Sequence, residues 1–218
     1  MTDGDWFEAV DATWPAAQFH HHNGWIIREG LGGGKRVSAA SGSGDIELAE
    51  RTQKSLGQDL LFMIRPHDGD LDAQLAARGY EIIDPVVILA KTLPSTGNSN
   101  STTQGARPAS VDIWEKGGIG PERRAVMDRA KGLKTIVQMA GGCAFVSCHK
   151  DVAMIHALEV DQDHRRKGIG RALEKAASEW SPVRTIAALT VETNIASRAL
   201  FTAAGYIEVS KYHYRIKR

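Results

Sequence analysis

The chain has 218 residues, 42% apolar and 24% charged, with 27 Lys and Arg against 26 Asp and Glu for a formal net charge of +1. That balance supports a folded protein with a substantial core and excludes bulk polyanion binding, so any basic function must be local. The acidic start, Met1-Thr-Asp-Gly-Asp-Trp, carries no apolar leader, and no run approaches the roughly 20 apolar residues that cross a bilayer; the expectation is a cytoplasmic protein with neither nucleic acid nor membrane as partner.

Hydrophobic periodicity predicts a helix over about Asp5 to Ala12, strands at Trp25 to Arg28 and Lys35 to Ala40, and a helix from Ile46 to Leu56. A strand at Leu60 to Ile64, a helix at Leu71 to Ala77 and a strand at Glu81 to Ala90 follow. His20, His21 and His22 have no acidic or cysteine ligand close in sequence and point in diverging directions, so they read as a solvated loop and no metal is expected. Pro94 to Ser110 is polar and nearly devoid of large apolar groups, the composition of a flexible linker. It divides the chain into residues 1–93, a linker at 94–110, and residues 111–218.

Past the linker, Gly142 to Cys148 reads as a strand. Its Cys143 and Cys148 would lie about 16 Å apart on opposite faces, too far to bridge, and read as small buried hydrophobes. The apolar run Val152 to Val160 is followed by Arg165-Arg166-Lys167-Gly168-Ile169-Gly170 and then a helix from Arg171 to Trp180, with Ile169, Ala172, Leu173, Ala176, Ala177 and Trp180 in one stripe. In that strand, turn and helix the glycines fall where backbone N–H groups lack intrahelical partners and the helix dipole is positive. Gly168 and Gly170 remove Cβ atoms that would hold a diphosphate away, while Arg165, Arg166, Lys167 and Arg171 add donors and field. The spacing is neither that of a Walker loop nor that of a dinucleotide fingerprint.

After a strand at Thr185 to Val191, Asn194 suits a helix N-cap. Ala196, Ala199, Leu200, Ala203 and Ala204 form a small-residue face, and Gly205 suits the position just past the helix. Ile207 to Ile216 reads as terminal strand, with Tyr212 and Tyr214 alternating against His213 and Arg215. The order also repeats. Leu60 to Ile64, then Leu75-Ala-Ala-Arg-Gly79-Tyr80 and a strand, parallels Ala187 to Val191, then Phe201-Thr-Ala-Ala-Gly205-Tyr206 and a strand, which reads as two related halves. The rival division makes residues 1–93 an unrelated α/β cap. In the first half Ala40-Ser-Gly-Ser-Gly44 has glycines but no basic residue at the required offset, so phosphate binding is expected only in the second.

Arg165, Gly168 and Gly170 resemble the Arg/Gln-x-x-Gly-x-Gly/Ala loop of the GNAT superfamily of acyl-CoA-dependent N-acyltransferases. Asn194, Phe201 and the Gly205-Tyr206 pair are similar to that family's later signature, and the whole looks like a tandem member with a degenerate amino-terminal unit. The resemblance implies an α/β fold with a central mixed sheet flanked by helices, and strands in the carboxy-terminal unit that splay around a pantetheine arm. It implies acetyl-CoA as cosubstrate and no metal. Backbone groups of Leu158 to Val160 would meet the pantetheine, Arg165, Arg166, Lys167, Gly168, Ile169, Gly170 and Arg171 would hold the diphosphate, and Asn194 would lie near the arm. It further implies direct attack of an amine acceptor on the thioester, with a backbone donor stabilising the oxyanion.

His156 and Glu159 are candidate bases for the ammonium proton. His156 takes a position where several small-molecule family members carry Glu; it is expected on an apolar face with Val152, Met154, Leu158 and Val160, which also suits a core histidine. Glu159, on the opposite face, suits an ion pair equally. Phe201 stands where the family often has a Tyr near the departing sulfur and cannot protonate it, which leaves Tyr206, Tyr212 or Tyr214 as sources of a hydroxyl. Three functions remain open: a small-amine N-acetyltransferase, an acetyltransferase of protein N-termini or lysines, and a silent acyl-CoA-binding sensor or scaffold. Either a monomer or a homodimer is expected.

Overall fold

The computed structural model describes residues 1–95 and 108–218. The first stretch runs α1 (Asp3–Thr13), β1 (Gln18–His22), β2 (Trp25–Glu29), β3 (Ala40–Gly42), α2 (Ile46–Ser55), β4 (Leu60–Ile64), α3 (Gly69–Ala77) and β5 (Glu81–Thr92). The second runs α4 (Pro108–Lys116), α5 (Pro121–Arg129), β6 (Lys134–Met139), β7 (Gly142–His149), β8 (Val152–Val160), α6 (Ile169–Trp180), β9 (Thr185–Val191), α7 (Ile195–Ala203) and β10 (Ile207–Lys217). The linker expected at 94–110 falls largely on residues 96–107, outside the described residues, while Pro108 to Ser110 already form the first turn of α4.

All these strands join one mixed 10-stranded sheet in the order β1-β2-β3-β4-β10-β5-β9-β8-β7-β6. The centre of that order is an exchange. β5 lies antiparallel to β9 of the second stretch, β10 lies antiparallel to β4 of the first, and the two exchanged strands pair with each other. The sequence repeat is visible in the helix ends that lead into them. Gly79 (φ 81°) and Gly205 (φ 86°) take the left-handed conformation, and the next residues close six-residue loops, Tyr80 N to Leu75 O and Tyr206 N to Phe201 O, each at 3.0 Å.

Side chains on one sheet face, among them Met154, Ile88, Tyr212 and Tyr214, pack under Trp6, Phe7 and Val10 of α1. The other face packs on α6 and α7 through Ile155, Ile186, Leu89, Ala177, Trp180, Phe201 and Tyr206. Two sequence expectations need correction here. His20 to His22 belong to an edge strand, because Asn23 (φ 44°) and Gly24 (φ 89°) make the tight turn that folds β1 onto β2. His20 and His22 therefore share a side, stacked at 6.4 Å, with His20 Nε2 3.2 Å from Glu29 Oε2. Lys35 to Ala40 is not a strand: Lys35–Val37 is a short 3-10 turn opened by Gly34 (φ 98°), and extension resumes only at Ala40.

Helix faces also depart in detail. In α6 the buried side chains are Leu173, Glu174, Ala177 and Trp180, and Ala172 is exposed. In α7 only Phe201 is fully buried; Ala196, Ala199 and Ala203 face solvent, so the small-residue face expected there is not the packing face. Cys143 and Cys148 are buried, free thiols in separate core clusters, each pushed up to about 12 by burial and so held as thiols at neutral pH.

Candidate active site

The site begins where two parallel strands part. β8 pairs with β9 from Val152 and Thr185 only as far as Ile155 and Ala188. Its other edge stays on β7 to the Gly142–Val160 pair, with an irregularity between Cys143 and Phe145. The kink is at Ala157, whose φ of +49° is unusual for a residue with a Cβ, and the indole Nε1 of buried Trp114 donates to its carbonyl at 2.8 Å. From there to Val160 the β9-side backbone groups of β8 have no ladder partner.

One extra residue in a strand inverts its alternation. Leu158 therefore joins the core face of Ala153 and Ile155, and does not share the face of His156 as the sequence pattern predicts. His156 stays with Met154 on the α1 side, 4% exposed, at the wall of a cavity of about 420 Å³. Trp14, Gly33, Gly34, Arg36 and Asp84 line that cavity from the first stretch, and Arg123, Leu189, Val191, Tyr212 and Tyr214 from the second.

Hydrogen bonding assigns the His156 tautomer. Thr13 Oγ1 donates to Ala9 O at 2.6 Å, so at 2.9 Å it can only accept from His156 Nε2–H. Arg36 Nη1 is 3.1 Å from Nδ1, and a guanidinium only donates, so Nδ1 carries the lone pair. Burial and then the neighbouring Arg36 charge hold the imidazole well below the usual histidine range, neutral at pH 7. The His156 ring also lies 5.1 Å from that of Trp14, over which Arg36 sits at 5.8 Å. The hydroxyls of Tyr212 and Tyr214 are 3.5 Å apart, and burial first, then Tyr212, keeps Tyr214 protonated well above its ordinary range.

The glycine loop lies beyond the open end of β8. Arg166 (φ 59°) and Gly168 (φ 81°) turn the chain into α6, whose first backbone bond runs from Ala172 N to Gly168 O at 3.0 Å. The amides of Ile169, Gly170 and Arg171 precede that bond. A Cβ at Gly168 would meet open space, whereas one at Gly170 would lie 3.3 Å from Leu200. Arg165, Arg166, Lys167 and Arg171 are exposed around the turn. Arg165 reaches back, Nε to Val160 O at 3.1 Å and Nη2 to Glu159 Oε1 at 3.2 Å.

The remaining sequence candidates are scattered. Glu159 packs on Gly117 outside the cavity, its pKa raised by burial against the opposing pull of Arg165. Tyr206 is on the opposite sheet face from His156; its hydroxyl donates to Glu174 Oε1 at 3.0 Å and its ring lies 5.0 Å from Phe201. Asn194 caps α7, accepting from Ser197 N at 3.0 Å. Arg36, Arg123 and Trp14 were not singled out in the sequence; the only signal for Arg36 is its place after Gly32-Gly33-Gly34, a run that lets the chain turn a basic side chain inward. Among the described residues no group of three or more His, Cys, Asp or Glu side chains could hold a metal, and no helix is long and apolar enough to cross a membrane.

The fold is thus a mixed α/β sheet in which a parallel strand pair opens at an irregular residue ahead of a glycine turn into a helix. Residues 111–206 match the model of the acetyltransferase (GNAT) family. It is 28% identical over 235 aligned positions to an uncharacterised N-acetyltransferase of Bacillus subtilis (strain 168), YobR, covering 95% of each chain. The fold is shared with a functionally unknown conserved protein from Staphylococcus epidermidis, at TM-score 0.69 and 9% identity over 100% of this chain and 97% of that one. A GCN5-related N-acetyltransferase from Kribbella flavida matches at TM-score 0.61 and 12% identity, over 99% and 93%. One from Sphaerobacter thermophilus matches at TM-score 0.59 and 13% identity; 79% of this chain is covered and spans 66% of the length of that one.

Proposed function

We propose that the protein transfers the acetyl group of acetyl-CoA to a primary amine of a small molecule by direct attack in a ternary complex. The observation that carries this reading is the succession along the chain of three features: the cavity walled by His156 and Ala157, the stretch of β8 left unpaired by β9, and the glycine turn after it. The cavity, about 420 Å³, is within the range of small-molecule sites and is walled on several sides, which favours a small acceptor over a protein segment lying in an open groove.

The residues fit acetyl-CoA. Open space in front of Gly168 and three amides ahead of the first helical bond suit a diphosphate, and four exposed basic side chains surround them. Acetyl-CoA supplies the activated acetyl group. Backbone groups of Leu158 to Val160, left without β9, would align the pantetheine and hold the acetyl carbonyl. His156 Nδ1 is the neutral base in the cavity, and Tyr212 or Tyr214 is the hydroxyl donor there. Tyr206 and Glu159 take structural parts in this reading.

The two-unit organisation, with residues 1–93 related to 111–218, belongs to the same proposal and is supported by the matching Gly79-Tyr80 and Gly205-Tyr206 helix ends. In the first unit the corresponding glycines serve packing: a Cβ at Gly42 would collide with the Gly24 carbonyl, and one at Gly44 would lie 3.0 Å from Trp25 Nε1. One acetyl-CoA per chain should therefore bind. Calorimetry with acetyl-CoA, followed by thiol release across a panel of small amines and peptides, tests the reading. Tight binding without turnover on any acceptor replaces it with the sensor, and turnover confined to peptides replaces it with protein acetylation.

A further inference from the structure

The charge of the cavity is unbalanced. Its lining carries Lys35, Arg36 and Arg123 against one carboxylate among the described residues, Asp84, and that one is taken by Lys35 Nζ at 2.8 Å. His156 is neutral, and the hydroxyls of Tyr212 and Tyr214 face Arg36. Arg123 forms no hydrogen bond or ion pair with a described residue. Arg36 has Nη1 on His156 and its guanidinium meets the Tyr212 and Tyr214 hydroxyls, while its Nε is buried without a partner. A buried guanidinium edge left unmatched beside a second arginine is costly unless an anion completes it. Arg123 registers the imbalance, since burial and the like charge of Arg36 both act against its protonated form.

Resting on the amine-acceptor reading, we infer that the acceptor carries a carboxylate as well as its primary amine. That carboxylate binds between Arg36 and Arg123 and draws Arg36 from His156 Nδ1. Guanidinium groups match carboxylates in planar, paired hydrogen bonds, and the Nε edge of Arg36, once turned from His156, offers that fork. The consequence for the site is chemical. In the structure the His156 lone pair accepts from an Arg36 N–H; with Arg36 turned to the carboxylate, Nδ1 is free to accept the ammonium proton. The substrate thereby completes its own base. Amines without the acid would leave Arg36 on His156 and the lone pair blocked.

The test uses the full chain, with CoA present, and matched pairs of N-acetylated products: N-acetyl amino acids with small, branched and aromatic side chains, each beside the N-acetyl amine lacking only the carboxylate. Binding is read by ligand-observed NMR titration. The acid of at least one pair should bind tenfold or more tighter than its neutral mate, about 1.4 kcal/mol, as charge-assisted hydrogen bonds require. Arg123→Gln, at an exposed helix position, should weaken the acid about tenfold and leave the neutral mate unchanged; Arg36→Lys should do the same by removing the fork. Equal binding of acids and neutral mates, absence of binding by every acid, or indifference of the acids to both substitutions overturns the inference. Turnover on the parent amines reports separately. Acetylation of decarboxylated amines as efficient as that of amino acids overturns the carboxylate and leaves the acetyltransferase reading standing. Acid-selective binding without any turnover supports the carboxylate site and removes the transferase reading.

Discussion

Replacing His156 with glutamine should flatten the acid side of the protein's stability curve. In the native protein the ring is a neutral imidazole whose Nε2–H donates to Thr13 and whose Nδ1 faces an Arg36 N–H at 3.1 Å. A second proton on Nδ1 would point at the guanidinium, so the folded pKa is well below 6.5, while the unfolded chain titrates near 6.5. Above that value neither state binds the proton and this group contributes no pH dependence. Below it the unfolded state takes up a proton that the folded state refuses, so stability falls as pH falls toward the folded pKa. The slope approaches about 1.36 kcal/mol per unit, and from pH 7.5 to 5.5 the integrated loss is about 1.4 kcal/mol. Glutamine can donate to Thr13 and accept from Arg36 without titrating. Urea unfolding of both proteins at the two pH values isolates the effect, because other groups cancel in the difference. The glutamine variant should gain about 1.4 kcal/mol on the unmodified protein between pH 7.5 and 5.5. An unchanged difference would show that the folded protein protonates His156, and the Arg36 contact could not then be the one described.

Gly168→Ala should fold with a loss of about 1–2 kcal/mol, because φ is +81°, and should weaken acetyl-CoA at least tenfold by placing a methyl group before the amides; calorimetry showing unchanged affinity would remove the turn from the site. Residues 108–218 expressed alone should not give a soluble, cooperatively melting monomer, since β10 has no sheet partner within that fragment; size exclusion and thermal denaturation decide it. Tyr214→Phe or Tyr212→Phe should lower turnover with little change in acetyl-CoA affinity. Tyr206→Phe should cost stability, about 1–3 kcal/mol for the bond lost to Glu174, and leave turnover within a few-fold; a large fall in turnover would return Tyr206 to the chemistry.

What was readable in advance was local. The glycine turn into α6, the Asn194 cap and the Gly205 helix stop depend on neighbouring residues, and each is found where its own residues put it. The cavity depends on residues far apart. Arg36 meets His156 across 120 positions, Thr13 meets it across 143, and no period or spacing connects them. The parity of β8 was lost for a different reason: alternation reads Leu158 and His156 as face-mates, and only the partner strand reveals the added residue at Ala157. The β1–β2 hairpin was recoverable, since Asn23-Gly24 is a turn signal by itself, but the polar histidines before it disguised the strand.

The crossing of β5 and β10 carries a consequence for synthesis. When Thr92 leaves the ribosome β5 is whole, yet its neighbours β9 and β10 are still to be translated, about 100 residues and on the order of 10 s away. Throughout that interval both edges of β5 wait unpaired, and β4 waits with them for residues 213–217. A nascent protein of this design cannot finish one half and then begin the other. Its first half is held open until β10 closes the sheet, which makes residues 207–217 the latch between β4 and β5 and truncation before them a route to aggregation.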